Sequence, residues 1–179
     1  MKSIHYFTLL LASLLIACSG AVSTDKNEGN SEKADTLFES YFNERMRLFP
    51  LEATLNGENQ YNDLLPCDIS DSYREKLKEF YSRYLRLVTS YSSDKLSEND
   101  RITCAILKRE MEVSLEGLRF HDNYQPIQQF WSTPITMAQL GSGSSNQPFL
   151  TTKDYANFLS RINAFSDWCD SAIVYMRKG

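Results

Sequence analysis

Residues 151–176, which read TTKDYANFLSRINAFSDWCDSAIVYM, carry the clearest helical period of the chain. Thr151 and Asp154 can cap the amino end of a helix here. Apolar side chains then recur at three- and four-residue steps, at Tyr155, Phe158, Leu159, Ile162, Phe165, Cys169, Ala172, Ile173 and Met176. This period predicts a long helix whose broad apolar face needs other elements to cover it.

Three other stretches show the same period, at residues 35–49, 70–91 and 97–117. Asp35 and Ser97 are suitable N-caps, and Ser72 with Glu75 matches a capping box for the second of these helices. No stretch shows the strict alternation of a half-buried strand. We therefore predict an all-α, bundle-like fold of about four main helices.

The helix at residues 97–117 has apolar residues on two faces. One stripe is Ile102, Ala105, Ile106 and Val113, and the other is Cys104, Leu107, Met111, Leu115 and Leu118. Two stripes predict burial against two neighbours, so we expect this to be the central helix. Its carboxylates Glu110, Glu112 and Glu116 are candidate ligands or general acids, but without a convergent histidine we interpret them as surface groups.

The segment at residues 119–150 breaks the helical period and reads as a long loop rich in aromatic residues, among them Tyr124, Phe130 and Trp131. Such a loop either packs over a core, which we favour, or lines a cleft. Its Gly/Ser run at residues 141–146 lacks the Lys-Ser/Thr ending of a phosphate loop. The chain also has no GxSxG nucleophile motif, which argues against esterase chemistry.

The amino terminus has the layout of an export signal, with Lys2 followed by a short apolar run. The motif Leu15, Ile16, Ala17, Cys18 resembles the lipobox of bacterial lipoproteins. The resemblance implies cleavage before Cys18 and lipidation of its thiol, which would tether the protein to the membrane. Ser19 stands where an inner-membrane retention signal usually has Asp, so we expect the outer membrane. The alternative is an ordinary secretory signal with an incidental cysteine.

Composition sets the remaining expectations. We predict a signal peptide at residues 1–17, a flexible tether at residues 18–34, because this segment is polar, and a helical domain at residues 35–179. Removing the signal takes away one lysine and no acid, which changes the net charge from −4 to −5. An acidic chain argues against a nucleic-acid partner.

The cysteines other than Cys18 are Cys67, Cys104 and Cys169, so one intramolecular disulfide at most can form among them. Cys104 and Cys169 lie on apolar helical faces. We interpret them as small buried hydrophobic residues in preference to a redox pair.

Groups of residues stand in a recognisable order along the chain. They are Tyr41, Phe42, Phe49, Pro50, Glu52, Ala53, Thr54 and Gly57, then Asn99, Asp100, Arg101, Leu107, Lys108, Arg109, Glu110, Leu118 and Phe120, then Tyr155, Leu159, Arg161, Ile162, Ala172, Met176, Arg177 and Gly179. This order resembles the amino-terminal part of the bacterial family called domain of unknown function 885. The resemblance implies a mostly helical protein, often secreted or lipid-anchored, that is grouped with zinc metallopeptidases of the HExxH type.

In HExxH chemistry two histidines one turn apart hold Zn²⁺ while the intervening glutamate activates water. This sequence has His5 in the predicted signal and His121 in a loop, so no such motif exists here. We therefore expect no catalytic residue and no cofactor in this chain, and zinc only in a carboxy-terminal half that the family carries. The chain stops where the family continues, which indicates a truncated or partial product.

Two functions follow from the sequence. In the first, the chain is the amino-terminal region of a lipid-anchored, metallopeptidase-like hydrolase and forms a wall of its peptide-binding cleft. Candidate cleft contacts are Tyr124, Trp131 and the Gly/Ser run. In the second, it is a non-catalytic envelope lipoprotein that acts as a binding or scaffolding module.

Overall fold

The computed structural model describes residues 28–179, and within them the chain forms only helices and connecting segments. The helices are α1 (Glu28–Leu48), α2 (Pro50–Leu55), α3 (Asp71–Ser90), α4 (Glu98–Gly117), α5 (Thr133–Gly141) and α6 (Thr152–Met176). Short 3₁₀ turns lie at Asn59–Tyr61, Ser93–Lys95 and Asp122–Tyr124. The all-α prediction is confirmed. Cys18 and the residues predicted to form a signal peptide lie outside the described residues.

Helices α1, α3 and α4 share an aromatic core. The ring of Tyr41 on α1 stacks on Phe80 of α3 at a centroid distance of 5.5 Å and meets Tyr84 edge-on at 5.2 Å. Leu107 and Met111 of α4 complete this core, and Met111 is fully buried. The predicted apolar stripe on the helix at residues 70–91 is thus buried as expected.

The helix starts follow local capping chemistry. The side chains of Ser97 and Thr151 accept hydrogen bonds from the backbone at Asp100 and Asp154, and Thr151 with Asp154 forms the predicted capping box. The capping box predicted at Ser72 is wrong, because α3 is capped two residues earlier by Ser70.

Helix α1 begins at Glu28, seven residues before the predicted start at Asp35. Ala34, the residue before Asp35, is fully buried in a cluster with Leu96 and Cys104, so packing continues before the predicted start. The predicted helix start at Asp35 is therefore too late. A single small apolar residue that fits a neighbouring surface extends the packed helix.

Helix α6 does not pack as a fourth member of the α1, α3 and α4 unit. Trp168, Ala172 and Tyr175 pack against Ile69 in the segment that precedes α3. Nearer its amino end, Phe158 and Phe165 pack against a cluster of Leu65, Met137 and Leu140. The connecting segments and α5 therefore form most of its support.

Helix α5 was not predicted, because its nine residues lie in the segment interpreted as a loop. Pro134 is its second residue, and proline is tolerated in the first turn of a helix. Gly141 ends it beside the ring of Phe158, where an added Cβ would lie 3.0 Å from the ring. The absence of a side chain at Gly141 lets α5 approach α6 closely.

One apolar stripe predicted to be buried is exposed, and a second is exposed in part. On α4, Ile102, Ile106 and Val113 are 51%, 61% and 48% exposed, so the expected burial on two faces is wrong. On α6 the exposed members are Tyr155, Leu159, Ile162, Ile173 and Met176. The helical period shows that apolar residues share one side of a helix. They are buried only where another element packs against that side. We call these residues the uncovered α4 face and the uncovered α6 face.

Candidate functional site

Arg161 of α6 is the centre of the most elaborate polar arrangement in the described residues, and its side chain is fully buried. Its Nη2 donates to the carbonyl oxygens of Pro50 (3.0 Å) and Tyr61 (3.1 Å) and to the hydroxyl of Thr54 (2.7 Å). Its Nε donates to the carbonyl of Leu64 at 3.1 Å. We call this arrangement the Arg161 junction, and it ties α6 to α2 and the segment that follows it.

The Arg161 junction also holds the segment after the Gly/Ser run. Nη1 of Arg161 donates to the side-chain oxygen of Gln147 at 2.6 Å, and Gln147 is buried. Next to it, the side chain of Asn146 donates to the carbonyl of Leu55 at 2.9 Å. The Gly/Ser run is thus anchored at its carboxyl end by α2 and α6.

The acceptors of Arg161 are neutral, so its charge is balanced by dipoles and not by a bonded carboxylate. Burial lowers the pKa of the guanidinium to about 10, while the nearby charge of Asp63 acts to raise it. The group therefore stays protonated at neutral pH. A buried cation held by backbone carbonyls is typical of a structural clamp, since these carbonyls come from α2 and from the segment that follows it.

Sequence reasoning missed this role of Arg161. The residue lies three positions after Phe158 and four before Phe165, so it shares their side of the helix. The sequence signal that could have indicated this role is a charged residue on the apolar side of the helix. Burial of a charge requires several partners, which the sequence alone does not reveal.

A second polar cluster joins α1, α2 and α4 around Arg45. Its guanidinium bonds both carboxylate oxygens of Glu52, at 2.8 and 2.9 Å, and Glu110 at 2.7 Å. Tyr41 also donates to Glu110, at 2.9 Å. Burial alone would lower the pKa of Arg45, but the bonds to Glu52 and nearby charges raise it overall. Glu110, a candidate general acid in the sequence, is therefore engaged in an ion pair between helices.

Asp68 lies beside α6, where it accepts a hydrogen bond from the indole nitrogen of Trp168 at 2.8 Å. Burial raises the pKa of the Asp68 carboxyl, and the hydrogen bond from Trp168 acts to lower it. Trp168 is almost fully buried. The pair fixes α6 against the segment before α3.

The two aromatic residues predicted to contact a substrate lie in different environments. Tyr124 stacks on His121 at 4.7 Å and packs against the cluster that contains Trp168 and Tyr175. Trp131 is 75% exposed and lies beside Phe130, with ring centroids 6.0 Å apart. Packing thus accounts for Tyr124, whereas Trp131 presents an aromatic surface to solvent.

One side of α3 carries a row of basic residues, and three of them, Arg74, Lys78 and Arg83, are paired with carboxylates. A groove of about 560 Å³ between α1 and α3 is lined by charges of both signs, including Glu44, Lys78 and Arg83. Arg83 pairs with Glu44, and Arg74 bonds Asp122 at 2.5 Å. These pairs favour the interpretation of a solvated charged face over a lipid-binding or partner-binding row.

Within residues 28–179, no group of three or more His, Cys, Asp or Glu side chains is arranged to hold a metal ion. In the same range, none of the helices is both long and apolar enough to cross a bilayer.

The family described as "Bacterial protein of unknown function (DUF885)" matches residues 50–179. This range begins at the first residue of α2 and includes every residue of the Arg161 junction. No curated protein and no solved structure matches the chain.

Proposed function

The chain belongs to the bacterial DUF885 family, and from that premise we propose that it is the amino-terminal helical region of a lipid-anchored envelope protein. In this proposal the region forms one wall of the peptide-binding cleft of a metallopeptidase-like hydrolase. The zinc-binding HExxH helix would come from other polypeptide. The uncovered α4 and α6 faces are the observation that carries the proposal.

These faces place large apolar side chains in contact with water, among them Ile106 at 61% and Leu159 at 59% exposure. Scattered exposed apolar residues are ordinary, but runs along one side of two long helices are typical of an interface. Complete burial of a fully exposed leucine or isoleucine side chain yields about 1.5–3 kcal/mol, and the half-exposed side chains on these faces would each gain roughly half of that. Further polypeptide packed on these faces would therefore be held firmly.

The alternative is a non-catalytic envelope lipoprotein that binds or organises other molecules. The exposed pair of Phe130 and Trp131 favours it, since aromatic residues are enriched in binding surfaces. Both proposals predict an inactive chain. They differ in the partner, which is the rest of a hydrolase in one case and an independent molecule in the other.

The first test measures activity and apolar surface on the purified chain. We expect no bound zinc, no peptide hydrolysis and strong fluorescence of the dye ANS. The double variant Ile106→Gln, Leu159→Gln should lose much of this fluorescence, because both side chains lie on the uncovered faces. Its free energy of unfolding should change by about 1 kcal/mol or less, as expected for two exposed positions.

Leu107→Gln is the matched control, because Leu107 is next to Ile106 on α4 but is buried in the aromatic core. It should destabilise the chain strongly through burial of an unpaired amide. Hydrolysis that chelators abolish would contradict both proposed functions. Unchanged ANS fluorescence in the double variant would show that these faces are not the apolar surface in solution.

The second test concerns the proposed anchor. Cells that express the wild-type chain should contain it in the membrane fraction, and globomycin should trap a larger precursor. Cys18→Ala should block this processing, because the thiol that would receive the lipid is absent. Processing and release of Cys18→Ala that match those of wild type would contradict lipid anchoring.

A further inference from the structure

Two cysteines pack against one apolar cluster, which lies between α6 and the segment before α3. Cys67 and Cys169 both pack against the buried side chains of Ile69, Trp168, Ala172 and Tyr175. Both are free thiols that are half-buried, so each is open in part to solvent. The two residues are distant in sequence, and the fold alone brings them to the same cluster.

Two hydrogen bonds fix the register between their segments. The indole of Trp168 donates to the carboxylate of Asp68 at 2.8 Å, and the backbone N–H of Asp71 donates to the hydroxyl of Tyr175 at 2.7 Å. Residues 67–71 therefore run beside residues 168–175. Cys67 is adjacent in sequence to Asp68 and Cys169 to Trp168, so the two cysteines belong to the two segments that this hydrogen bond joins.

Cys104 lies in a different environment. It is buried in the cluster of Ala34 and Leu96, and burial raises the pKa of its thiol. A buried thiol with a raised pKa reacts slowly, since the thiolate is the reactive form. The residue is therefore a matched control within the same chain.

We propose that Cys67 and Cys169 form a redox-sensitive pair, which a disulfide oxidant closes into a bond that staples α6 to the segment before α3. One thiolate attacks a sulfur of the oxidant, which gives a mixed disulfide and releases the first oxidant thiolate. The second protein thiolate then attacks the mixed disulfide and releases the other. The two protons of the protein thiols pass to the released thiolates, and the oxidant is reduced by two electrons.

The bond would close a loop from residue 67 to residue 169, which contains α3, α4, α5 and most of α6. Closing a loop of about 100 residues removes much conformational freedom from the unfolded chain. We therefore expect oxidation to raise the midpoint of thermal unfolding by roughly 5–15 °C. We expect the bond to stabilise the packing of α6 most, because connecting segments form most of the support of this helix.

The test uses the full chain with Cys18→Ser, purified in detergent, so that three cysteines remain. It is incubated with oxidised glutathione, and free thiols are counted after denaturation. We expect the count to fall from three to one, and peptide mapping by mass spectrometry should find Cys67 joined to Cys169. Adding Cys104→Ser should leave the cross-link intact, whereas adding Cys169→Ser should abolish it.

Three free thiols after oxidation, or glutathione attached separately to Cys67 and Cys169, would overturn the proposal. A disulfide that includes Cys104 would do the same. The experiment is independent of the proposed envelope location and of the proposed cleft. Its failure is thus distinguishable from theirs, which the activity, dye and anchoring tests report.

Discussion

Arg161→Met should lower the free energy of unfolding by about 3–5 kcal/mol, which is a large part of the stability of a typical domain. Methionine keeps much of the side-chain volume but donates no hydrogen bond. The carbonyl oxygens of Pro50, Tyr61 and Leu64 would lose their bonds to the guanidinium. The hydroxyl of Thr54 and the side-chain oxygen of Gln147 would lose theirs as well.

Two opposing terms decide the sign of this effect. The carbonyls of Pro50 and Tyr61 keep other donors, which are the hydroxyl of Thr54 and the backbone N–H of Leu64. The other three acceptors lose their donor, and each buried acceptor without a donor costs about 1–3 kcal/mol. Removing the buried charge offsets part of this cost, because burial lowers the pKa of Arg161 to about 10. At about 1.4 kcal/mol per unit, that relief is roughly 3 kcal/mol. The lost hydrogen bonds therefore outweigh it.

Urea denaturation followed by tryptophan fluorescence measures the change, since Trp168 is buried on the same helix. Arg177→Met is the matched control, because Arg177 is exposed near the end of α6 and should change stability by less than about 0.5 kcal/mol. Arg161→Lys tests geometry with the charge kept. A loss below about 1 kcal/mol in Arg161→Met would contradict the clamp.

Local patterns predicted most helices because helix formation depends on short-range signals. The capping pair Thr151 and Asp154 and the aromatic stripe on α3 were both visible in the sequence. Helix α5 was missed because its nine residues show too few turns to establish a period. Pro134, which proline chemistry allows in the first turn of a helix, lies in the segment at residues 119–150 that was interpreted as a loop.

The arrangement of the helices depends on contacts between distant residues, and here sequence reasoning was weaker. Nothing near Arg161 indicates that the carbonyls of Pro50 and Tyr61 meet its guanidinium. In the same way, the period of α6 did not reveal that Trp168 and Tyr175 are buried while Ile162 and Ile173 are exposed. The helical period determines which residues lie on the same side of a helix. Contacts with residues distant in sequence determine which side is buried.

Substitutions on α4 can measure the difference between the buried and the exposed side of one helix. Met111→Ala should lower the free energy of unfolding by about 2–5 kcal/mol, because Met111 is fully buried in the aromatic core and its truncation leaves a cavity. Val113→Ala should change it by about 0.5 kcal/mol or less, because Val113 is 48% exposed. Thermal or urea denaturation of the two variants reports both values.

The two variants separate the faces of one helix, since their residues are only two positions apart in sequence. If Val113→Ala cost as much as Met111→Ala, the uncovered α4 face would be covered in solution, and light scattering would then have to show self-association. If Met111→Ala cost little, the packing of α4 on α1 and α3 would be wrong. The expected asymmetry follows because one face buries its apolar area within the chain, whereas the other leaves that area exposed to solvent.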